Sequence, residues 1–198
     1  MLRLAGRTVL VTGAGSGIGL AIVDRAVAEG AHVVLVERDE ALARDAAAGF
    51  GDCALGVGCD VTDAASVEAA VTAAIEKFGR LDGAVHNAAA PSLDDSVVDL
   101  DPRQWHLEVD VSLTGAFLLS KYAVPAMSCK GGSIIFIASQ YGSVGTTTSP
   151  AYCAAKGGVV NLARALAVDH AAQGIRVNSL SPGPVGTSRL LVRWPDLA

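Results

Sequence analysis

The sequence has little charge, no paired cysteine motif and no long apolar run. No apolar stretch is long enough to span a bilayer, and the first apolar run breaks at Thr12-Gly13, too early for the core of a secretion signal. A cytoplasmic protein with no membrane partner is therefore expected. Cys53, Cys59, Cys129 and Cys153 show no C-x-x-C spacing and read as free thiols. His32, His106 and His170 are scattered, so no metal set is expected. Charged residues make up 18% of the chain and the net charge is -5, which argues against a nucleic-acid partner. No linker, repeat or low-complexity tract appears in the 198 residues, so a single domain over 1–198 is expected.

What the chain does have is apolar residues, 51% of the total, with much alanine. That composition suits a sheet covered by helices on both faces, whose strands read as continuous apolar runs. Strands are expected over residues 8–12, 33–37, 54–57, 84–87, 133–137 and 176–180. Helical patterns lie between them. Over 62–78, Val67, Val71, Ala74, Ile75 and Phe78 fall on one face, with Thr62 or Asp63 as the cap and Gly79 as the stop. One long helix is expected over 103–127, closed by Pro125 and Gly131-Gly132, and another over about 152–170. This alternation predicts an α/β fold, a doubly wound parallel sheet of six strands in the order 3-2-1-4-5-6. A ligand would sit at the carboxyl ends of the strands.

The run Thr12-Gly13-Ala14-Gly15-Ser16-Gly17-Ile18-Gly19 falls between the first strand and a good helix sequence. Alone, such glycines are an ordinary tight turn. On a strand-to-helix turn they let a diphosphate approach the backbone, with the free N–H groups of the helix start facing it. Glu37 closes the second strand about twenty residues past the glycine turn, where an acid accepts hydrogen bonds from the adenosine ribose hydroxyls and repels a 2′-phosphate. Arg38 pulls the other way, but Ser16 brings no positive charge into the turn. NAD is favoured over NADP.

Tyr152 and Lys156 are four apart on a predicted helix and so project from one face. An ammonium beside a tyrosine favours the phenolate, the form that takes a hydroxyl proton as hydride leaves the neighbouring carbon. Ser139 ends the fifth strand, where it can hydrogen-bond a substrate oxygen. Gln140 and Tyr141 follow closely enough to line a substrate pocket.

Together these stretches resemble the short-chain dehydrogenase/reductase family from about Arg7 to Thr187. Thr12–Gly19 resembles its T-G-x-x-x-G-x-G turn, with Gly13, Ser16, Gly17, Ile18 and Gly19 as cofactor residues. Asp60-Val61 matches its adenine contact, and Asn87-Ala88-Ala89 resembles its N-A-G motif. Ser139, Tyr152 and Lys156 resemble its catalytic serine and Y-x-x-x-K pair. Pro182-Gly183-Pro184-Val185-Gly186-Thr187 resembles its nicotinamide-side loop, and Pro182, Gly183, Val185 and Thr187 would contact the cofactor. The resemblance implies an NAD-dependent enzyme interconverting a secondary alcohol and a ketone, with Lys156 bonded to the nicotinamide ribose. It also implies a homodimer through the helices 103–127 and 152–170.

Three departures accompany the resemblance. Ser112 stands where the family commonly has an asparagine supporting a water relay to the lysine. The usual N-N-A-G reads His86-Asn87-Ala88-Ala89, with His86 as a packed strand-end residue. The chain stops at Ala198, without the family's usual final strand and helix, so the sixth strand is expected to be an edge and turnover to be poorer than in a longer relative. A dinucleotide-binding protein that no longer turns over, a sensor or a truncated paralogue, therefore stands as the rival reading. Trp105 and Trp194 read as packing or interface residues.

Overall fold

A computed structural model describes residues 2–91, 95–127 and 131–188 of the chain. Cys129 and Trp194 lie outside the described residues. Six strands form one parallel sheet, in the order β3-β2-β1-β4-β5-β6. They are β1 (Thr8–Thr12), β2 (His32–Glu37), β3 (Ala54–Gly58), β4 (Gly83–His86), β5 (Gly132–Ile137) and β6 (Ile175–Leu180). Each strand read from the sequence is present, with ends moved by a residue or so. The second strand begins earlier because His32 pairs with Thr8. The fourth stops earlier because the Asn87 N–H turns to the Thr12 side chain instead of a neighbouring strand.

Alternation along the strands divides the core in two. Leu10, Val34, Ala84 and Ile134 face one way and pack against α3 (Ala64–Phe78), α5 (Gly115–Met127) and α6 (Pro150–Asp169). Val11, Val33, Leu35 and Val85 face the other way, against α1 (Gly17–Ala28) and α2 (Glu40–Ala48). Both faces are covered, which is why the strands read as unbroken apolar runs.

The cap of α3 is Asp63, whose carboxylate accepts from Ser66 N at 3.0 Å. Thr62 is not the cap; its N–H and hydroxyl both donate to Asp60. The helix ends at Gly79, as expected. The helix expected over 103–127 is present without a break from 102 to 127, but it is not α-helical throughout. The chain there forms α4 (Pro102–Val109), then a π-turn over Asp110–Thr114, then α5. Pro125 does not close α5 but lies inside it. A proline there forfeits its own N–H bond and crowds the carbonyl four residues back, while buried Val124 and Met127 bind the last turn to the core. Helix α6 starts two residues before the expected Tyr152, because Pro150 suits a first helical turn.

All strands being parallel, their carboxyl ends share one edge of the sheet. The glycine turn, Glu37, Asp60, Asn87, Ser139 and the 182–187 loop all gather there. No helix among the described residues is long and apolar enough to cross a membrane.

Candidate active site

The loops at that edge enclose a cavity of about 790 Å³. Its walls take Gly13, Ser16, Gly17 and Ile18 from the glycine turn, Glu37 from β2, and Asp60 and Val61 after β3. Asn87 and Ala88 follow from β4, then Ser139, Tyr152 and Lys156, and finally Pro182, Gly183, Val185 and Thr187. Of the residues expected at the site, only Gly19 and Ser112 lie outside these walls.

Gly19 serves from behind. A Cβ on it would collide with the Gly13 carbonyl oxygen and stand 2.7 Å from Asn87 Nδ2. Gly13 has φ +62°, and a Cβ there would stand 2.9 Å from Ala88 Cα. The turn is held by Asn87 Nδ2, which donates to Gly13 O at 2.8 Å. Thr12 Oγ1 accepts from both Asn87 N and Ala88 N at 3.1 Å. No side chain caps α1, so its first N–H groups remain available to an anion. That cradle fits a dinucleotide diphosphate. The 182–187 loop reaches over it, since a Cβ on Gly17 would lie 3.3 Å from Thr187 Cγ2.

The acid at the end of β2 is anchored to the same turn, Glu37 Oε1 accepting from Gly15 N at 2.8 Å. Asp60 Oδ1 accepts from Thr62 N at 2.9 Å and Thr62 Oγ1 at 2.7 Å, which hold its carboxyl below the usual range; the Arg38 charge adds to this. Arg38 lines the same cavity.

At the other end of the cavity, Ser139 Oγ accepts from Tyr141 N at 3.2 Å. Tyr152 and Lys156 come from α6, and Lys156 Nζ lies 5.8 Å from the centroid of the Tyr152 ring. The lysine is buried and donates to the Ile137 carbonyl at 2.8 Å, tying α6 to the end of β5. Gln140 and Tyr141 do line the cavity. Gln140 N donates to Pro182 O at 3.0 Å, joining the loop after β5 to the loop after β6.

Ser112 sits in the π-turn, fully buried, and its hydroxyl has no hydrogen-bond partner among the described residues. Two side chains stand out only in the structure. Leu107 and Val111, one turn apart, line the cavity from α4 and the π-turn. Their i, i+4 apolar spacing is visible in the sequence but does not distinguish a cavity wall from ordinary packing. Glu108 is buried in α4, close to Ser149 and Tyr152 at the start of α6. Cys53, Cys59 and Cys153 are free thiols, as read.

The family model for short chain dehydrogenases matches residues 7–195. The chain is 44% identical over 187 residues to 2-(S)-hydroxypropyl-CoM dehydrogenase 3 of Xanthobacter autotrophicus, covering 92% of this chain and 73% of that protein. It is 38% identical over 196 residues to meso-2,3-butanediol dehydrogenase of Serratia marcescens, covering 98% and 77%. Among solved structures it resembles 3-ketoacyl-(acyl-carrier-protein) reductase from Brucella melitensis complexed with NADH. The TM-score there is 0.91 at 35% identity, with 94% of this chain and 79% of that one covered. A glycine turn against Asn87, a Tyr152/Lys156 pair in the same cavity and these matches agree: the chain belongs to the short-chain dehydrogenase/reductase family of oxidoreductases.

Proposed function

We propose that this protein is an NAD-dependent dehydrogenase that interconverts a secondary alcohol and a ketone, with Tyr152 as general acid/base. The observation that carries the proposal is the placement of Ser139, Tyr152 and Lys156 in one cavity with the glycine turn. The nicotinamide, when bound, accepts the hydride that leaves the carbinol carbon. Ser139 Oγ holds the substrate oxygen, and the Tyr152 oxygen takes its proton, so that the alcohol loses one hydride and one proton in all. In ketone reduction Tyr152 returns the proton. Lys156 places a positive charge 5.8 Å from the centroid of the Tyr152 ring. Ser112 stands in the asparagine's place, and its shorter side chain holds a water leading to Lys156 less well.

The glycine turn takes the diphosphate, Asp60 and Val61 flank the adenine, and the 182–187 loop covers the nicotinamide side. NAD is the proposed cofactor because Glu37, held to the glycine turn, offers the ribose a carboxylate oxygen. A homodimer is proposed through α4, α5 and α6, where Trp105, Phe117 and Val168 are 38%, 48% and 79% exposed. Large apolar side chains so exposed on these helices suit an isologous contact. The cytoplasm is the proposed location.

A second reading, dinucleotide binding without turnover, rests on the partnerless Ser112 hydroxyl. The test is NADH formation or loss with acyclic diols, cyclic secondary alcohols and the matching ketones, beside NADH binding by calorimetry. Turnover establishes the enzyme, binding alone the second reading, and neither overturns both.

A further inference from the structure

His86 closes β4 and has no place in the reaction proposed above, yet its ring is 1% exposed. Nδ1 lies 3.2 Å from Thr12 Oγ1, and Nε2 lies 3.0 Å from the Val111 carbonyl oxygen. The proton positions follow from the partners. Thr12 Oγ1 already accepts from Asn87 N and Ala88 N, so its own hydrogen is left for Nδ1. A carbonyl only accepts, so Nε2 carries the ring proton. Both contacts therefore require the same neutral tautomer. Burial, aided by the Lys156 ammonium, opposes a charged ring and lowers the His86 pKa to about 3.

The distant partner is an unusual one. Val111 lies in the π-turn, where Gly115 N reaches back five residues to Asp110 O. Such a turn carries one residue more than an α-helical turn and shifts carbonyls out of step with their ordinary donors. A carbonyl in such a turn can take a donor from outside the helix, and His86 supplies one to Val111. Gly115, at the end of the π-turn, leaves room for the ring; a Cβ there would stand 2.9 Å from His86 Cε1. Val111 itself lines the cavity.

We infer that His86 is a positioning residue, which ties the glycine turn through Thr12 to the π-turn and so sets the Val111 wall of the cavity. Its effect on turnover rests on the function proposed above; its effect on the π-turn does not. Neither His86 nor Thr12 is among the residues that line the cavity.

Three variants separate the two bonds. His86→Gln reaches far enough to donate to Val111 O; His86→Asn reaches only Thr12; His86→Leu makes neither bond. Nitrogen NMR of the unmodified protein should show a neutral ring with the proton on Nε2. Amide exchange at residues 111–116 should speed up in the Asn and Leu variants and stay near the unmodified level in Gln. In the same order, kcat should fall about tenfold or more in Asn and Leu while NADH Kd stays within about twofold, with Gln restoring most of kcat. A proton on Nδ1 would overturn the inference. So would unchanged exchange in the Asn variant, or an equal loss of melting temperature and NADH binding in all three. If Leu does not fold, the Gln–Asn comparison and the ring tautomer still decide. If the unmodified protein turns over no alcohol, the functional reading fails, while the NMR and exchange results still judge His86.

Discussion

Glu37 Oε1 accepts a hydrogen bond from the backbone N–H of Gly15 at 2.8 Å, so the acid that ends β2 is locked to the glycine turn that follows β1. The carboxylate is aimed before any nucleotide arrives. A preset acceptor loses less freedom on binding than a mobile one.

Glu37→Ala should therefore weaken NADH binding about 10- to 100-fold, the equivalent of one hydrogen bond to a charged group at about 1.5–3 kcal/mol. NADPH affinity should hold or rise. Calorimetric titration with both nucleotides checks this. NADPH binding as tight as NADH in the unmodified protein would mean that Arg38 decides the choice instead.

Tyr152→Phe keeps the ring and removes only the oxygen that moves the proton. Turnover should be lost while NADH affinity changes little. Retained turnover in steady-state assays would take Tyr152 out of the acid/base role.

The Ser112 hydroxyl is buried with no partner among the described residues. Leaving such a group unpaired costs about 1–3 kcal/mol, so Ser112→Ala should be neutral or stabilising in denaturant unfolding. A loss greater than about 1 kcal/mol would reveal a bound water satisfying the hydroxyl.

Acid should destabilise the fold through His86. Its folded pKa is about 3 against an ordinary 6.5, so between those values the unfolded chain binds the proton and the folded chain does not. Stability from this group is complete above about pH 6.5 and drains away as pH falls toward 3, by several kcal/mol at most. Asp82 acts in the same direction at lower pH. Burial would raise its carboxyl, but Arg80, Thr8 N and Arg7 hold it below its usual value. Urea unfolding of the unmodified protein and of His86→Gln across this range should show a shallower acid loss in the variant.

Phe117 is 48% exposed on α5, a costly position for an aromatic ring in water. If α4, α5 and α6 pair with a second copy, Phe117→Glu should shift the protein from dimer to monomer in light scattering. An unmodified protein that is monomeric at micromolar concentration, or tetrameric, would count against this contact.

Much of this architecture was legible residue by residue. Unbroken apolar runs such as residues 33–36 mark buried parallel strands, because both faces of the sheet are covered. The glycine turn, the acid at Glu37 and the spacing of Tyr152 and Lys156 are local patterns whose geometry follows from strand and helix repeats. The sequence allows Thr62 or Asp63 as the cap of α3; the structure has Asp63 there, since Asp60 engages Thr62. What the sequence could not reveal lies in contacts between distant residues. The stretch 103–127 reads as one helix in the sequence, but His86 reaches across 25 residues to Val111 and meets the π-turn inside that helix. Thr12, 74 residues from His86, directs that ring, and Lys156 finds the Ile137 carbonyl 19 residues away. Local propensity is a property of neighbouring residues, and it sets strands, turns and caps. Which buried donor meets which carbonyl depends on how the sheet brings its strand ends together, and that only the tertiary structure decided.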